Sequence, residues 1–272
     1  MQSIWISEIK LQPAGALTFR RMPSGLLHIM SYPFMPPTTM SGFLKRVLEI
    51  ASGKDWPGYG EDWYNGPESK EFTLTLEQDY RCLGAFPDQG RWYIHKTRRH
   101  GPKHFKHTEF SKLLRSNYKE NYELHHWDYL FCESLTGWVA SREKAKLDAL
   151  HIIQNYGGKA GKEGYLCIKK IQEPRQVFLN YGDFKPLGLV TLPLRPKQGC
   201  FYHLYAHHWN KNYPWSNGEK GGVDGYIQVN SWWEADSANG FYWQWDKGIG
   251  FAASVVDTFL QGDVDAFWNN YL

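Results

Sequence analysis

The chain has 272 residues, of which 42% are hydrophobic and 22% are charged, and its formal net charge is +3 at pH 7. This composition excludes a disordered chain and a fibrous chain, because enough apolar residues are present to form a buried core. The mild net charge does not by itself indicate a nucleic-acid-binding protein, so the distribution of charge along the chain carries more information.

Cysteine usage and hydropathy point to a protein of the cytoplasm. The four cysteines are far apart and form no CxxC pair, which argues against a structural zinc site and against a secreted cystine framework. No apolar run reaches the roughly 18 residues that a membrane-spanning helix requires, and charge interrupts the N-terminal stretch where a signal peptide stays apolar. We therefore expect no membrane segment and a cytoplasmic location.

The first predicted elements are a strand and a helix. Alternating apolar and polar residues predict a strand over residues 4–11. A helix is predicted after Pro36 and Pro37, with Thr39 or Ser41 as its N-cap. Its expected buried face comprises Phe43, Leu44, Val47, Leu48 and Ala51.

Two more strands are predicted before the middle of the chain. Residues 53–67 are rich in Gly, Pro and Trp and indicate a loop. After this loop, Phe72, Leu74 and Leu76 alternate with polar residues, which is typical of a strand. Another strand is predicted to include residues 92–94.

Positive charge is concentrated in residues 91–108. This segment contains four histidines and no Asp or Glu. Its basic residues are Arg91, Lys96, Arg98, Arg99, Lys103 and Lys106. Such a density of charge without acids is typical of a solvated face or of a surface that binds phosphates. We predict that these six side chains bind RNA and that residues from about 91 to about 126 form an insertion.

After residue 127 the pattern predicts strand structure, a second amphipathic helix ending at Gly157 and Gly158, a glycine-rich basic loop and a further strand. The apolar stripe of this helix comprises Ala145, Ala149, Ile152, Ile153 and Tyr156. In the loop, glycines allow backbone N–H groups to approach a phosphate and lysines add charge, so the predicted RNA contacts are Gly158, Lys159, Gly161 and Lys162. A helix end followed by a simple turn is the alternative interpretation.

From residue 186 onward, short apolar pieces separated by Gly, Pro and Asn indicate β-structure, with a possible short helix near the end. The order strand, helix, strand, strand, helix, strand predicts an α+β, ferredoxin-like fold, which is also the fold of RNA-recognition modules. We therefore expect a ferredoxin-like domain over residues 1–185, with a basic arm at about 91–126. Residues 186–272 are expected to form a β-rich, aromatic-rich C-terminal region.

Two segments carry a family resemblance. The runs YPFMPPTTMSGFLKRVLE and WDYLFCESLTGWVASREKAKLDALHIIQNYGGKAGKEGYLCIKKI together resemble CRISPR-associated RAMP proteins of the Cas-five family. Members of that family have a Pro-Thr-Thr step before the first helix and a Gly soon after it, here Pro37, Thr38, Thr39 and Gly42. The second run matches the family's later strand, helix, glycine-rich loop and strand.

This resemblance implies a non-catalytic subunit of a type I Cascade-like complex in antiviral defence. The subunit would hold the 5′ handle of the CRISPR RNA, contact the backbone-forming and large subunits, and meet target DNA only through the complex. The basic insertion would be a thumb that contacts RNA phosphates. No cofactor, metal or catalytic residue is expected.

Two other functions are alternatives. Some relatives cleave precursor RNA without a metal, and acid–base candidates for such a reaction are Tyr93, His95, Lys96, His100, Lys103 and His104. A Trp-rich carbohydrate-binding protein is the third reading, although core or interface packing is the preferred role of Trp232, Trp233, Trp243 and Trp245.

A zinc site is also considered at His203, His207 and His208. The surrounding aromatic alternation favours a strand, and no HExxH motif is present, so we expect no metal there.

Overall fold

The computed structural model describes residues 2–21, 28–53, 80–88, 90–102, 122–210 and 222–260. For residues 99–102, 122–125, 205–210, 222–227 and 257–260 it describes the backbone only. The predicted strand of Phe72, Leu74 and Leu76 lies outside these residues.

The described residues form a mixed α/β fold that is mostly sheet. Its strands are β1 (Ser3–Pro13), β2 (Phe19–Arg20), β3 (His28–Ile29), β4 (Ser31–Tyr32), β5 (Arg81–Pro87), β6 (Trp92–Pro102), β7 (Tyr122–Cys132), β8 (Leu135–Ser141), β9 (Gly157–Lys159), β10 (Tyr165–Ile171), β11 (Arg175–Pro186), β12 (Val190–Thr191), β13 (Cys200–Asn210), β14 (Gly222–Trp233), β15 (Ala238–Asp246) and β16 (Ile249–Ala252). Its α-helices are α1 (Pro37–Ala51), α2 (Lys144–Ala149) and α3 (Ala253–Leu260). None of the helices in the described part of the chain is long and apolar enough to span a bilayer.

Strand β1 lies at the centre of the main sheet. On one side it pairs antiparallel with β8. On the other side one part of β1 pairs antiparallel with β10 and another part pairs antiparallel with β11. Strand β8 pairs in turn with β5, so four strands lie in the antiparallel order β10-β1-β8-β5. Helix α1 lies in the connection from β1 to β5, and α2 lies in the connection from β8 to β10.

The sheet continues toward the C-terminus through β11, which pairs antiparallel with β15 and parallel with β16. Strands β12, β14 and β13 form a separate antiparallel sheet in that order. Strands β3, β7 and β6 form a mixed sheet, in which β3 pairs parallel and β6 antiparallel with β7, and β6 is the edge strand among the described residues.

The position of α1 confirms the predicted helix, but neither of the predicted N-cap residues caps it. The helix begins at Pro37, directly after Pro36 in an extended conformation, and no side chain caps its first turn. Thr39 and Ser41 therefore lie inside the helix. Proline suits the first helical position because it has no N–H that needs a partner. The buried face comprises Pro37, Met40, Ser41, Phe43, Leu44 and Val47.

The predicted apolar stripe of the second helix is wrong at four of its five positions, and only Ile153 is buried as predicted. Helix α2 is short and is followed by a 3₁₀ turn over Leu150–Ile153. Ile152 is 53% exposed and Tyr156 is 41% exposed, and Ala145 and Ala149 are exposed as well. The buried side chains are Leu147, Leu150 and Ile153. Leu150 and Ile153 share one face because they are three residues apart in the 3₁₀ turn, and Leu147 precedes them by three residues at the end of α2.

The expected end of that helix is also wrong. Gly157 and Gly158 lie in β9, which pairs with β10. The helical segment has already ended at the 3₁₀ turn, after which Asn155 takes a positive φ of 70°.

One hydrophobic core joins residues from both sides of position 186. It includes Ile6 and Leu44 from the N-terminal part and Val229, Trp233 and Trp243 from the C-terminal part. Two of the four tryptophans considered for sugar binding, Trp233 and Trp243, are thus core residues. The division into two regions at residue 186 stays a prediction.

Candidate nucleic-acid interface

The basic segment forms one strand of a long hairpin. Strand β6 pairs antiparallel with β7 from Trp92↔Cys132 to Pro102↔Tyr122. The hairpin lies between β5 and β8 in the chain, and those two strands pair with each other in the main sheet. We call this hairpin the basic arm. Directly opposed residues of an antiparallel pair share one face, so the register assigns each side chain to a face.

The predicted cations of the basic arm differ in their surroundings. Arg91 donates a 2.8 Å hydrogen bond to Glu133, and both side chains are exposed. Lys96 and Arg98 are exposed and make no ion pair with any residue whose side chain the structure describes. Arg99 lies opposite His125 in the ladder. The predicted contacts Lys103 and Lys106 lie outside the described residues, as does His104.

Aromatic side chains occupy the other face of the basic arm. Tyr93 is 59% exposed, and its ring stacks on Phe131 with 5.2 Å between centroids and 9° between planes. The His95 ring meets the same Phe131 at 6.2 Å in an edge-on arrangement. On the opposite face, Trp92 packs against the core residue Trp233 at 5.5 Å. Tyr93, Phe131 and His95 therefore form a row of rings on the face opposite Trp92, in which Tyr93 and His95 are exposed. Phe131 is half-buried and packs against a small second hydrophobic cluster of Ile29, Trp127 and Tyr129.

A polar network holds the base of the basic arm. The Asp88 carboxylate accepts hydrogen bonds from the hydroxyls of Ser134 and Thr136, and the Lys10 ammonium lies 3.8 Å from it. Burial raises the pKa of Asp88, but these hydrogen bonds and the charges of Lys10 and Arg91 outweigh burial and lower it. The carboxylate is consequently ionised at neutral pH and fixes the segment between β5 and β6 to the start of β8.

The glycine-rich loop is a tight turn packed on its own chain. Gly161 has φ of +69°, and a Cβ at this position would lie 2.6 Å from the Thr18 carbonyl oxygen. The Lys162 N–H donates to that carbonyl at 2.8 Å, and the Thr18 N–H donates to the Glu163 carbonyl at 2.8 Å. A Cβ at Gly158 would meet Val47 of α1 at 3.6 Å.

These contacts indicate that packing requires a glycine at position 161. They favour the interpretation of the loop as a simple turn. Contact of Gly158 and Gly161 with RNA stays a prediction. Lys159 at the end of β9 and Lys162 in the turn that follows are both exposed and remain available to phosphates.

The turn is fastened to the basic arm. The Tyr129 hydroxyl of β7 donates a 2.8 Å hydrogen bond to the Glu163 carboxylate. Thr18 belongs to the segment that contacts this turn, and its hydroxyl donates a 3.0 Å hydrogen bond to the Asp128 carbonyl of β7. Leu17 and Leu130 exchange both backbone hydrogen bonds, at 3.0 and 2.8 Å. The structure thus brings the two predicted basic segments together, although they are distant in sequence.

Sequence reasoning missed three residues of this region. Phe131 supplies the ring on which Tyr93 and His95 pack, and Tyr129 and Glu163 connect the arm to the turn. The alternation in residues 92–98 separates ring positions from cation positions on β6. It does not reveal which residue of β7 lies opposite, because that depends on the register of the hairpin.

Two amide side chains contact His203, the first of the three histidines considered as zinc ligands. His203 Nδ1 lies 3.0 Å from Asn230 Oδ1 and 2.7 Å from Gln228 Nε2. His207 and His208 lie in the same strand, β13. Across the described residues, no group of three or more His, Cys, Asp and Glu side chains is arranged to hold a metal ion.

Comparison with known proteins gives no family assignment. No protein-family model matches the chain, and no curated protein matches it. A chain from the cryo-EM structure of the Type III-B Cmr-beta bound to cognate target RNA and AMPPnP aligns with a TM-score of 0.45 at 12% identity, covering 85% of this chain and 86% of that one. A chain from the Cmr-beta structure bound to cognate target RNA gives a TM-score of 0.44 at 13% identity, with the same coverage of 85% and 86%.

The crystal structure of a CRISPR protein from Archaeoglobus fulgidus aligns with a TM-score of 0.36 at 14% identity, covering 88% of this chain and 95% of that one. Because each TM-score is below 0.5, these likenesses do not assign the chain to a family.

Proposed function

We propose that the chain is a non-catalytic RNA-binding subunit of a CRISPR effector complex and that it holds the 5′ handle of the CRISPR RNA. The observation that carries the proposal is the fastening of the Lys159–Lys162 turn to the basic arm through Tyr129 and Glu163. Lys96 and Arg98 on the arm are exposed without ion pairs to described side chains. Such cations bind phosphates without first breaking an internal contact.

We further propose that the fold is ferredoxin-like and that the chain is a RAMP protein of the Cas-five family. The antiparallel order β10-β1-β8-β5, with a helix in each of two connections, supports the ferredoxin-like assignment. The resemblance puts the Pro-Thr-Thr step directly before the first helix, and in the structure Pro37, Thr38 and Thr39 form the first turn of α1, so the step stays at the start of this helix. On the same resemblance, we propose a type I Cascade-like complex in the cytoplasm.

In that complex, the partners would be the backbone-forming and large subunits. Guide pairing would read the target DNA, while this subunit would supply affinity and register on the guide RNA. The basic arm would then be the thumb that contacts the handle.

One observation favours a second candidate, a metal-independent endoribonuclease. Tyr93 and His95 lie on one exposed face and both contact Phe131, so a phenol and an imidazole are presented to the same ligand. General acid–base cleavage of RNA uses groups of this kind. Binding without cleavage remains our proposal, because the motif of the cleaving relatives is not recognisable in the sequence.

The experiment is a salt titration of RNA affinity. Lys96→Ala/Arg98→Ala and Lys159→Ala/Lys162→Ala are compared with wild type on a labelled repeat RNA. The matched control is Lys185→Ala/Lys247→Ala, which removes two exposed lysines near the β15–β16 turn. Each site pair should flatten the log–log salt dependence by about 1.4, or about 0.7 for each lost phosphate contact on a single strand, and the control should not.

Unchanged slopes in both site pairs would contradict the proposed interface. Gel analysis of the repeat RNA, with and without a chelator, separates the two candidate functions. Intact RNA supports the binding subunit. Cleavage that is lost in His95→Ala while affinity persists would favour the endoribonuclease.

A further inference from the structure

Two cross-strand Tyr–Phe pairs, each with an exposed tyrosine, differ in geometry. On the basic arm, Tyr93 and Phe131 stack with their ring planes 9° apart. On β11 and β15, Tyr181 and Phe241 are also directly opposed, 68% and 56% exposed, but their planes are 62° apart. A parallel, offset stack leaves ring faces open to a further flat group, whereas an edge-to-face pair covers one face with an edge.

The charges around the two pairs also differ. The neighbours of Tyr93 along β6 include His95, Lys96 and Arg98, all exposed. The neighbour of Tyr181 two residues along the same face is Asp183, which accepts a 2.8 Å hydrogen bond from Asn239. Lys96 and Arg98 lie on the opposite face of β6 from Tyr93, and Lys185 is exposed four residues beyond Tyr181. Because β6 carries two exposed cations and no acid between residues 92 and 98, a polyanion is attracted more strongly to the strand of the first pair.

The edge position of β6 gives a path for a polymer. Residues of a strand alternate between faces, so Lys96 and Arg98 alternate with Tyr93 and His95 along the same edge. A nucleic-acid strand that follows this edge meets cations from one face and rings from the other. A phosphate backbone with bases projecting to one side matches that alternation.

We propose that Tyr93, Phe131 and His95 form a stacking platform for an unpaired nucleobase, so that this chain selects single-stranded RNA over duplex RNA. This inference rests on the proposed RNA-binding function and names the kind of RNA that the site takes. In a duplex the faces of the bases are covered by their neighbours, and side chains reach only the backbone and the grooves. Stacking on exposed rings therefore requires bases that are free of a helix.

The test compares Tyr93→Leu/Phe131→Leu with the matched control Tyr181→Leu/Phe241→Leu. Leucine keeps an apolar side chain in each cross-strand pair but removes the ring face. The probes are a short fluorescein-labelled poly(A) RNA and a labelled RNA duplex of the same length. The arm variant should bind the single strand about 5-fold to 100-fold more weakly, while its affinity for the duplex stays within about 2-fold. The control variant should match wild type on both probes.

The outcomes separate the inference from the function on which it rests. If wild type binds neither probe in a salt-dependent manner, the proposed RNA-binding function fails. If wild type binds RNA but the arm variant keeps the wild-type ratio of single-strand to duplex affinity, the stacking platform is overturned and the cationic interface stands.

Thermal melting shows whether the arm variant is folded. If it is not, Tyr93→Leu alone replaces it, because that ring is more than half exposed and its loss leaves the core intact. An unchanged affinity ratio in Tyr93→Leu also overturns the platform.

Discussion

The turn of Gly161 offers a direct test of the packing that positions the candidate interface. We consider Gly161→Ala, which adds one methyl group at a residue with φ of +69°. Two costs are expected. A non-glycine residue in the left-handed region costs about 1–2 kcal/mol. The new Cβ would also lie 2.6 Å from the Thr18 carbonyl oxygen and 2.8 Å from the Phe19 ring, and relieving such overpacking costs about 1–3 kcal/mol.

Gly248→Ala is the matched control for the first cost alone. Gly248 has the same φ of +69°, and a Cβ there would meet nothing within 4 Å. We therefore expect Gly248→Ala to lower the free energy of unfolding by about 1–2 kcal/mol. Gly161→Ala should lower it by about 2–5 kcal/mol, the sum of strain and overpacking.

Urea unfolding followed by tryptophan fluorescence measures both values in one series. Equal losses of stability in the two variants would refute the reasoning, since the contact with Thr18 would then cost nothing. Circular dichroism gives a second readout of the same transition, and coincident curves justify reading the difference as a free energy.

Three other perturbations follow from the described contacts. Tyr129→Phe should lower the free energy of unfolding by about 1–2 kcal/mol, because a buried ring loses its hydrogen bond to the Glu163 carboxylate. A double-mutant cycle with Glu163→Ala, which removes the acceptor, should show coupling, and additive losses would contradict the contact. Leu147→Ala should lower the free energy of unfolding measured in urea by about 2–5 kcal/mol, whereas Ile152→Ala, at a 53% exposed position, should change it by no more than about 0.5 kcal/mol. The reverse order would support the predicted stripe. Because the pKa of Asp88 is lowered, its ionised form stabilises the fold above its unfolded pKa of about 3.9, and this contribution is lost as the pH falls through the lower folded pKa. The melting temperature of Asp88→Asn should therefore fall less steeply with acid than that of wild type. Identical slopes would exclude a role for this carboxylate.

Local sequence patterns predicted several elements because local physics decides them. The alternation in residues 4–11 predicted β1, and the proline pair followed by apolar residues at helical spacing predicted α1. The charge density of residues 91–108 predicted an exposed segment, and Arg91, Lys96 and Arg98 are exposed on the basic arm. Each of these features depends on neighbours within a few residues.

The second helix shows where a local pattern misleads. Its apolar residues fit an α-helical stripe and a 3₁₀ spacing equally well over so short a segment. In the structure α2 ends at Ala149, and a 3₁₀ turn buries Leu150 and Ile153 beside Leu147. Burying three large side chains outweighs the weak preference of a six-residue helix for continued α-helical geometry.

The candidate interface depends on contacts between residues distant in sequence. The sequence alone determined which residues carry charge and rings, namely the cations of β6, the lysines at 159 and 162, and Tyr93. Only the tertiary structure placed Phe131 opposite Tyr93 and Glu163 against Tyr129. The physical reason is that strand register and the docking of a turn on a strand are set by the packing of the whole core. No window of a few residues carries that information.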